Sequence, residues 1–238
     1  MIRHGRNLAI YVNGVDISGD LNEINPVSEM DMAEVDTFGS LNHQAYAGLA
    51  KDSGTIQAIY NSTSAVVFQN LIQSASGYGM MIPFAPTTNG SPVYCTNAIN
   101  LKNNAMKSVV TDVNRATIAF ETVNYPFEAG TLIVPKRTNT TASSVVDNST
   151  STLIGGAAYL QMFACGSSGT ITLSVLSSST GTFAGEEATT ATFATVSSSG
   201  TPGTQRIAIS GTIQRYAIMA SSIVGATTAT YAIGLVRY

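Results

Sequence analysis

Residues Leu8–Tyr60 read LAIYVNGVDISGDLNEINPVSEMDMAEVDTFGSLNHQAYAGLAKDSGTIQAIY. The run opens on a short apolar segment, Leu8–Val12, followed by Asn13-Gly14. That dipeptide suits a two-residue hairpin turn because both positions accept a positive φ. A second short strand through Val15 and Ile17 stops at Ser18-Gly19-Asp20. From Glu29 to Asp36 acidic and apolar residues alternate, with Glu29, Asp31, Glu34 and Asp36 set against Met30, Met32 and Val35. The phase slips by one at Ala33, which predicts a bulge. One face of such a strand packs inward, and the other directs a row of carboxylates at water. Thr37–Asp52 reads as a long loop, and loops of that length are uncommon and usually functional. It holds Phe38, Leu41, Tyr46 and Leu49, and clustered exposed apolar side chains mark contact surfaces. Two conformations stay open for it: a finger that reaches a neighbouring copy, or an Ω-loop folded back on its own domain. Thr55–Tyr60 alternates again and closes the hairpin.

On the N-terminal side lies a polar arm, Met1–Asn7 (MIRHGRN). On the other side Thr63 or Ser64 caps a helix predicted over Ala65–Ala75, whose Val67, Phe68, Leu71, Ile72 and Ala75 share one face. Gly77 and Gly79 end it. Further strands are predicted at Met80–Phe84, Val93–Ile99, Ser108–Val110 and Ala116–Val123, divided by Pro83, Pro86 and Asn89-Gly90, and Tyr125–Val134 reads either as another strand or as the exit from the first domain. Lys136–Thr152 is rich in Thr, Ser and Asn and reads as a linker. Beyond it the texture changes, since 35 of the 101 residues from Thr138 to Tyr238 are Ser or Thr. Strand signals there are short and polar-faced: Ala157–Ala164, Thr170–Leu176, Thr192–Val196, Gln205–Ile209, Gln214–Ala220 and Thr230–Val236. Their spacing is that of a small β-sandwich. The expected architecture is all-β with one α-helix: a β-barrel or sandwich domain over 1–135, a linker over 136–152, and a C-terminal β-sandwich over 153–238.

Composition restricts the function classes. Charged residues make up 11% of the 238 and hydrophobic ones 44%, against a usual charged share of about 25%. So little charge leaves a soluble monomer poorly defended against association, which points to a surface covered by copies of the same chain. The alternative is a compact monomer whose surface is Ser, Thr and Asn. Residues 1–130 carry six Lys/Arg and eleven Asp/Glu, and residues 131–238 carry five and three, giving −5 and +2 within the net −3. No basic stripe with interleaved aromatics appears, which disfavours tight nucleic-acid binding. Cys95 and Cys165 lie outside any CxxC motif and read as reduced, buried side chains in different domains. No leader-like start appears and no segment approaches the roughly 18–20 apolar residues of a membrane span, so assembly in a cytosol without membrane insertion is expected.

Catalytic, cofactor and metal signatures are missing. His4 and His43 are the two histidines, and no thiol or carboxylate spacing suggests zinc. There is no GxSxG elbow, phosphate-binding loop or dinucleotide fingerprint. Gly77-Tyr78-Gly79 follows a predicted helix and reads as its cap. The acidic row Glu29, Asp31 and Glu34 lacks any His, Lys or ligand company and reads as a solvated face. No enzyme and no cofactor is expected.

Three stretches, NLAIYVNGVDISGDLNEI, VDTFGSLNHQAYAGLAKDSGTIQAIY and the segment around VVFQNLIQSA, together resemble the major tail tube proteins of long-tailed bacteriophages with non-contractile tails. The C-terminal pattern from TITLSVLSSS to TYAIGLVRY looks like the appended β-sandwich of such proteins. The resemblance implies a structural virion protein whose six-membered rings stack into a hollow tail tube, assembled in the host cytoplasm, through which the genome passes at ejection. It implies subunit contacts through Asp36, Thr37, Phe38, Leu41, His43, Tyr46 and Leu49, and a lumen face at Glu29, Asp31 and Glu34 that repels DNA instead of holding it. It places the C-terminal domain on the exterior. Implied partners are further copies, the tape-measure, tail-terminator and baseplate proteins, and DNA in transit. Competing readings are a capsid decoration or baseplate-hub protein and, further off, a carbohydrate-binding module or hydrolase.

Overall fold

A computed structural model describes residues 8–35, 44–59, 77–107, 115–138, 143–166, 169–183, 185, 187–197, 203–225 and 228–238. Sixteen strands run through them. β1 (Tyr11–Val12) and β2 (Val15–Asp16) make a tight hairpin, and β3 (Leu21–Val35) and β4 (Gln44–Ile59) make a long one. β5 (Tyr78–Pro83), β6 (Pro92–Lys107), β7 (Arg115–Thr122) and β8 (Glu128–Thr138) follow. The remainder are β9 (Val146–Asp147), β10 (Gly156–Cys165), β11 (Thr170–Ser178), β12 (Ala188–Thr192), β13 (Val196–Ser197), β14 (Gly203–Ile209), β15 (Tyr216–Val224) and β16 (Ala229–Arg237). No α-helix occurs among the described residues, and the one predicted over Ala65–Ala75 lies outside them, as does the Ser108–Val110 strand.

The chain divides into two compact units, each discontinuous in sequence. The first draws on Met1–Gly19, Tyr78–Asn97 and Glu128–Tyr238, and the second on Asp20–Gly77 and Ala98–Phe127. β6 therefore gives its first six residues to one unit and the rest to the other. These units are not the expected stretches 1–135 and 153–238. A composition shift does not mark which strands share a sheet: β10, β14 and β16 lie beyond it yet join the sheet that holds β1, β5 and β6. The expected linker shows the same: Lys136–Thr138 finish β8, and Val146 of β9 is buried in the core. Cys95 and Cys165 both fall in the first unit, the former buried and the latter half-buried, and neither forms a disulfide.

Two sheets make the first unit. One has the order β14-β10-β16-β8-β6-β5-β1-β2, and the other has β12-β11-β15-β9 with β13 also on β11. Neither sheet closes into a barrel among the described residues. The sheets bury a shared core through Leu160, Met162, Tyr231, Ile233 and Leu235 on one side and Ile171, Leu173, Val175, Ala217 and Met219 on the other. Period-two alternation explains this, since β11 buries Ile171, Leu173 and Val175 and leaves Thr170, Thr172 and Ser174 half-exposed. The opposite face of the larger sheet carries a second cluster with Tyr11, Met81, Cys95, Leu132, Tyr159 and Val236. Strands covered on both sides read as unbroken apolar runs such as Ala157–Leu160 and Ala232–Val236.

The Asn13-Gly14 turn is as the sequence predicts, with φ of 48° and 73° and Val12 paired with Val15. Its tip is held by Gln161 of β10, a buried polar side chain in an otherwise apolar strand. The Gly14 N–H donates to Gln161 Oε1 at 2.8 Å, and Gln161 Nε2 donates to the Gly79 carbonyl at 3.1 Å.

Candidate assembly surface

The second unit is an antiparallel sheet in the order β3-β4-β7-β6. Ile56 pairs with Ile118 and Gly54 with Phe120, and all four are buried. A Cβ on Gly54 would sit 2.6 Å from both the Phe120 ring and the Asn25 carbonyl oxygen, so only glycine lets that ring lie flat on the strand. Phe127 meets Phe120 edge-on, centroids 6.0 Å apart. The Phe127 N–H donates to Oδ2 of Asp52, which is only 1% exposed, while Asp52 Oδ1 has no partner among the described residues. Nearby, Lys102 and Glu121 form an ion pair between β6 and β7.

β3 is the outer strand. Among the described residues it pairs with β4 alone, leaving a fifteen-residue edge open. Glu23, Asn25, Pro26, Val27 and Ser28 along it are all exposed. Pro26 suits this position, because a residue without an N–H is tolerated in a strand at a sheet edge.

The predicted site residues fall on this hairpin. Glu29, Asp31 and Glu34 lie in β3, with Glu29 opposite Lys51 and Glu34 opposite Ala45. The register shifts where two steps of β3, Met30 to Met32, match three of β4, Ala50 to Ala47, so the extra residue lies in β4 at Gly48–Leu49 opposite Asp31, and β3 is in regular register at Ala33. Alternation of side-chain type locates such a slip only to within a few residues. Asp36, Thr37, Phe38, Leu41 and His43 lie outside the described residues. Tyr46 and Leu49 lie in β4, opposite Ala33 and next to the Ala50–Met30 pair. The predicted loop Thr37–Asp52 is thus corrected: from Gln44 onward it is strand. Ala and Gly have low strand propensity, so Gln44–Ala50 shows no strand signal, and pairing with β3 supplies the order.

The first unit holds charged groups that the sequence did not single out. Arg206 of β14 and Glu128 of β8 pair at 3.1 Å with each side chain 9% exposed. Arg206 also donates to the Tyr159 hydroxyl at 2.9 Å and the Tyr238 hydroxyl at 3.0 Å, and both tyrosines donate to Glu128. Burial and the neighbouring carboxylate push the Tyr159 hydroxyl far above its usual range. The network satisfies a buried ion pair, whose unpaired members would each be costly. Asp16 accepts from Lys136 at 2.7 Å and from the Ser18 N–H at 3.0 Å. Burial opposes its ionisation, yet those bonds win and hold its carboxyl below the usual range. Asp147 meets Arg215 through two bonds of 2.7 and 2.6 Å on the surface, and those bonds hold it down at about 2. Together with Lys102 and Glu121, these make four ion pairs among the described residues. No group of three His, Cys, Asp or Glu side chains that would hold a metal occurs among the described residues, nor does any helix long and apolar enough to cross a membrane.

No family model matches the chain, and no curated protein does. Solved structures give low-scoring likenesses. A chain from the virion of a native gene transfer agent particle superposes with a TM-score of 0.44 at 8% identity, covering 53% of this chain and 98% of that one. A chain from the sheath-tube complex of an extracellular contractile injection system in its extended state gives 0.43 at 14% identity, covering 54% and 92%. A type six secretion system protein gives 0.31 at 11% identity, covering 55% and 86%.

Proposed function

We propose that this chain is a structural virion protein that polymerises into the tail tube of a phage-like particle, as stacked six-membered rings around a conduit for the genome. The observation that carries the reading is the long open edge of β3. A fifteen-residue strand that pairs on one side only among the described residues is a hazard in a monomer and a pairing site in a ring of identical copies. The scarcity of charge, 11% of residues, supports it, because obligate interfaces are more apolar than ordinary surface. The sequence resemblance supports the specific assembly. On this reading Asp36, Thr37, Phe38, Leu41, His43, Tyr46 and Leu49 contact the adjacent subunit at the far end of the β3–β4 hairpin. Glu29, Asp31 and Glu34 face the lumen, where their repulsion of phosphates is screened over about 8–10 Å and keeps DNA from adhering. The tape-measure, terminator and baseplate proteins meet the tube along its bore and at its ends, and its place is the virion tail.

Electron microscopy of the purified chain tests this directly. Rings and tubes with a central hole are expected. Phe38→Ser with Leu41→Ser should abolish them while leaving thermal unfolding unchanged. A protein that stays a single chain at high concentration would sink the reading.

A further inference from the structure

Asn-Gly occurs twice in the chain, at Asn13-Gly14 and at Asn89-Gly90. In an open chain this dipeptide readily loses ammonia, because glycine has no side chain to keep its nitrogen away from the preceding amide carbon. The glycine nitrogen attacks Cγ of the asparagine, a new N–Cγ bond closes a succinimide ring, and the Cγ–Nδ2 bond breaks. The amide proton passes to a solvent base, ammonia leaves, and water opens the ring to aspartate or isoaspartate. The reaction needs only water, a mobile glycine nitrogen and an asparagine side chain free to swing over it.

Both dipeptides lie in the first unit, and bonds from distant parts of the chain remove those freedoms. Gly14 is buried, and its N–H donates to Gln161 Oε1 at 2.8 Å. The Asn13 N–H donates to the Gly79 carbonyl at 3.0 Å, and the same carbonyl accepts from Gln161 Nε2 at 3.1 Å. With φ at 48° and 73°, the turn is fixed further by the pairing of Val12 with Val15 on one side and Met80 on the other. At the second dipeptide the Gly90 N–H donates to the Leu132 carbonyl at 2.8 Å. Here the departing amide is held as well. Asn89 Nδ2 donates to the Ile133 carbonyl at 2.6 Å, and Asn89 Oδ1 accepts from Arg137 at 3.0 Å.

We infer that Asn13 and Asn89 are latent deamidation sites, closed in the folded chain by Gln161 at the first and by Arg137 and the β8 backbone at the second. Gln161 is a positioning residue: it keeps the Gly14 proton in an interior hydrogen bond, out of reach of a solvent base. Reaction then waits on local opening, which becomes rarer with each bond that must break. What the closure protects is the β1–β2 hairpin. Isoaspartate at position 13 would route the main chain through the former side chain and lengthen a two-residue turn by a methylene. The Val12–Val15 register would be lost, and with it the hairpin that sets Tyr11 edge-on to Phe163 and Asp16 beside Lys136.

The test follows the full chain by peptide mass spectrometry during incubation at mildly alkaline pH, with a guanidinium-unfolded sample as reference. In the folded protein both asparagines are expected to convert at least about tenfold more slowly than in the unfolded one. Gln161→Leu should speed conversion at Asn13 by about tenfold or more, the effect of removing one buried hydrogen bond, with Asn89 at the parent rate. Arg137→Met, a change at a half-buried position, should speed Asn89 and leave Asn13 alone. Site selectivity is the deciding readout, because a variant that merely loosened the fold would speed both. Equal acceleration at the two sites, or folded and unfolded chains converting alike, overturns the inference. So does a folded Gln161→Leu protein that converts Asn13 at the parent rate. Should Gln161→Leu fail to fold, Arg137→Met decides alone, and an unchanged Asn89 rate in it overturns the inference.

Discussion

Gln161 is buried at the Asn13-Gly14 turn, where it accepts from the Gly14 N–H and donates to a Gly79 carbonyl that also accepts from the Asn13 N–H at 3.0 Å. Gln161→Leu keeps the bulk and removes both partners, so the Gly14 N–H and the Gly79 carbonyl lose this bond inside the core. A buried group left unsatisfied costs about 1–3 kcal/mol, and urea unfolding should show a loss of at least that size. Asp52 offers a contrasting case. Asp52→Asn keeps an acceptor for the Phe127 N–H, whereas Asp52→Ala strands that N–H, so calorimetry should find the alanine variant destabilised by about 1–3 kcal/mol more than the asparagine one. At the surface, Asp147 is held at about 2 by Arg215, against about 3.9 in an unfolded chain. The folded form thus binds its proton less readily, and this pair's contribution is present above about pH 4 and is lost as pH falls through about 2. An NMR titration of the Asp147 carboxyl should show that midpoint, rising in Arg215→Met but staying below the free value because the Ser149 N–H still donates to it at 2.7 Å. None of these roles was legible beforehand. A lone Gln in AAYLQMFAC hints at a buried polar group, but its partners lie far away in sequence.

At the scale of elements, most strands announced themselves. Asn13-Gly14 specified its own turn because few other dipeptides tolerate two positive φ values in succession. Alternation located β11, β14 and β16 to within a residue or two at their starts. Where it failed, the residues were small. Ala45, Ala47 and Gly48 have little to bury, so β4 depends on β3 for its order and reads as loop on its own. Strand pairing was illegible for the same reason that Gln161 was, since partners are non-local and hydrogen bonds leave no trace in composition. The β3 edge yields its own prediction. Lysines block edge pairing, and Asn25 and Val27 are both exposed. Asn25→Lys with Val27→Lys should therefore change unfolding free energy by no more than about 0.5 kcal/mol and stop polymer growth, as followed by light scattering.

For the whole molecule, charge placement sets the functional prediction. If Glu29, Asp31 and Glu34 line a bore, replacing all three with Lys converts a repelling wall into an attracting one. Tubes should still form, and genome release from particles carrying the variant should slow, with the delay shrinking at high salt. Release kinetics unchanged from the parent would remove those residues from the lumen. The overall division was the part least visible in the sequence. The Ser/Thr gradient after Thr138 suggested a boundary, and the hydroxyl-rich β11, β12 and β15 do lie together in the smaller sheet, yet β10, β14 and β16, which carry few hydroxyls, join the sheet that holds β1, β5 and β6.

β16 lies between β10 and β8 in the middle of the larger sheet, although it follows both of them in sequence. A nascent chain emerging from the ribosome thus carries both flanking strands with a gap between them until about residue 237 has been added. Until then β8 and β10 each lack the partner on that side, so the hydrogen-bond ladder at the centre of the sheet forms only after β16 has joined.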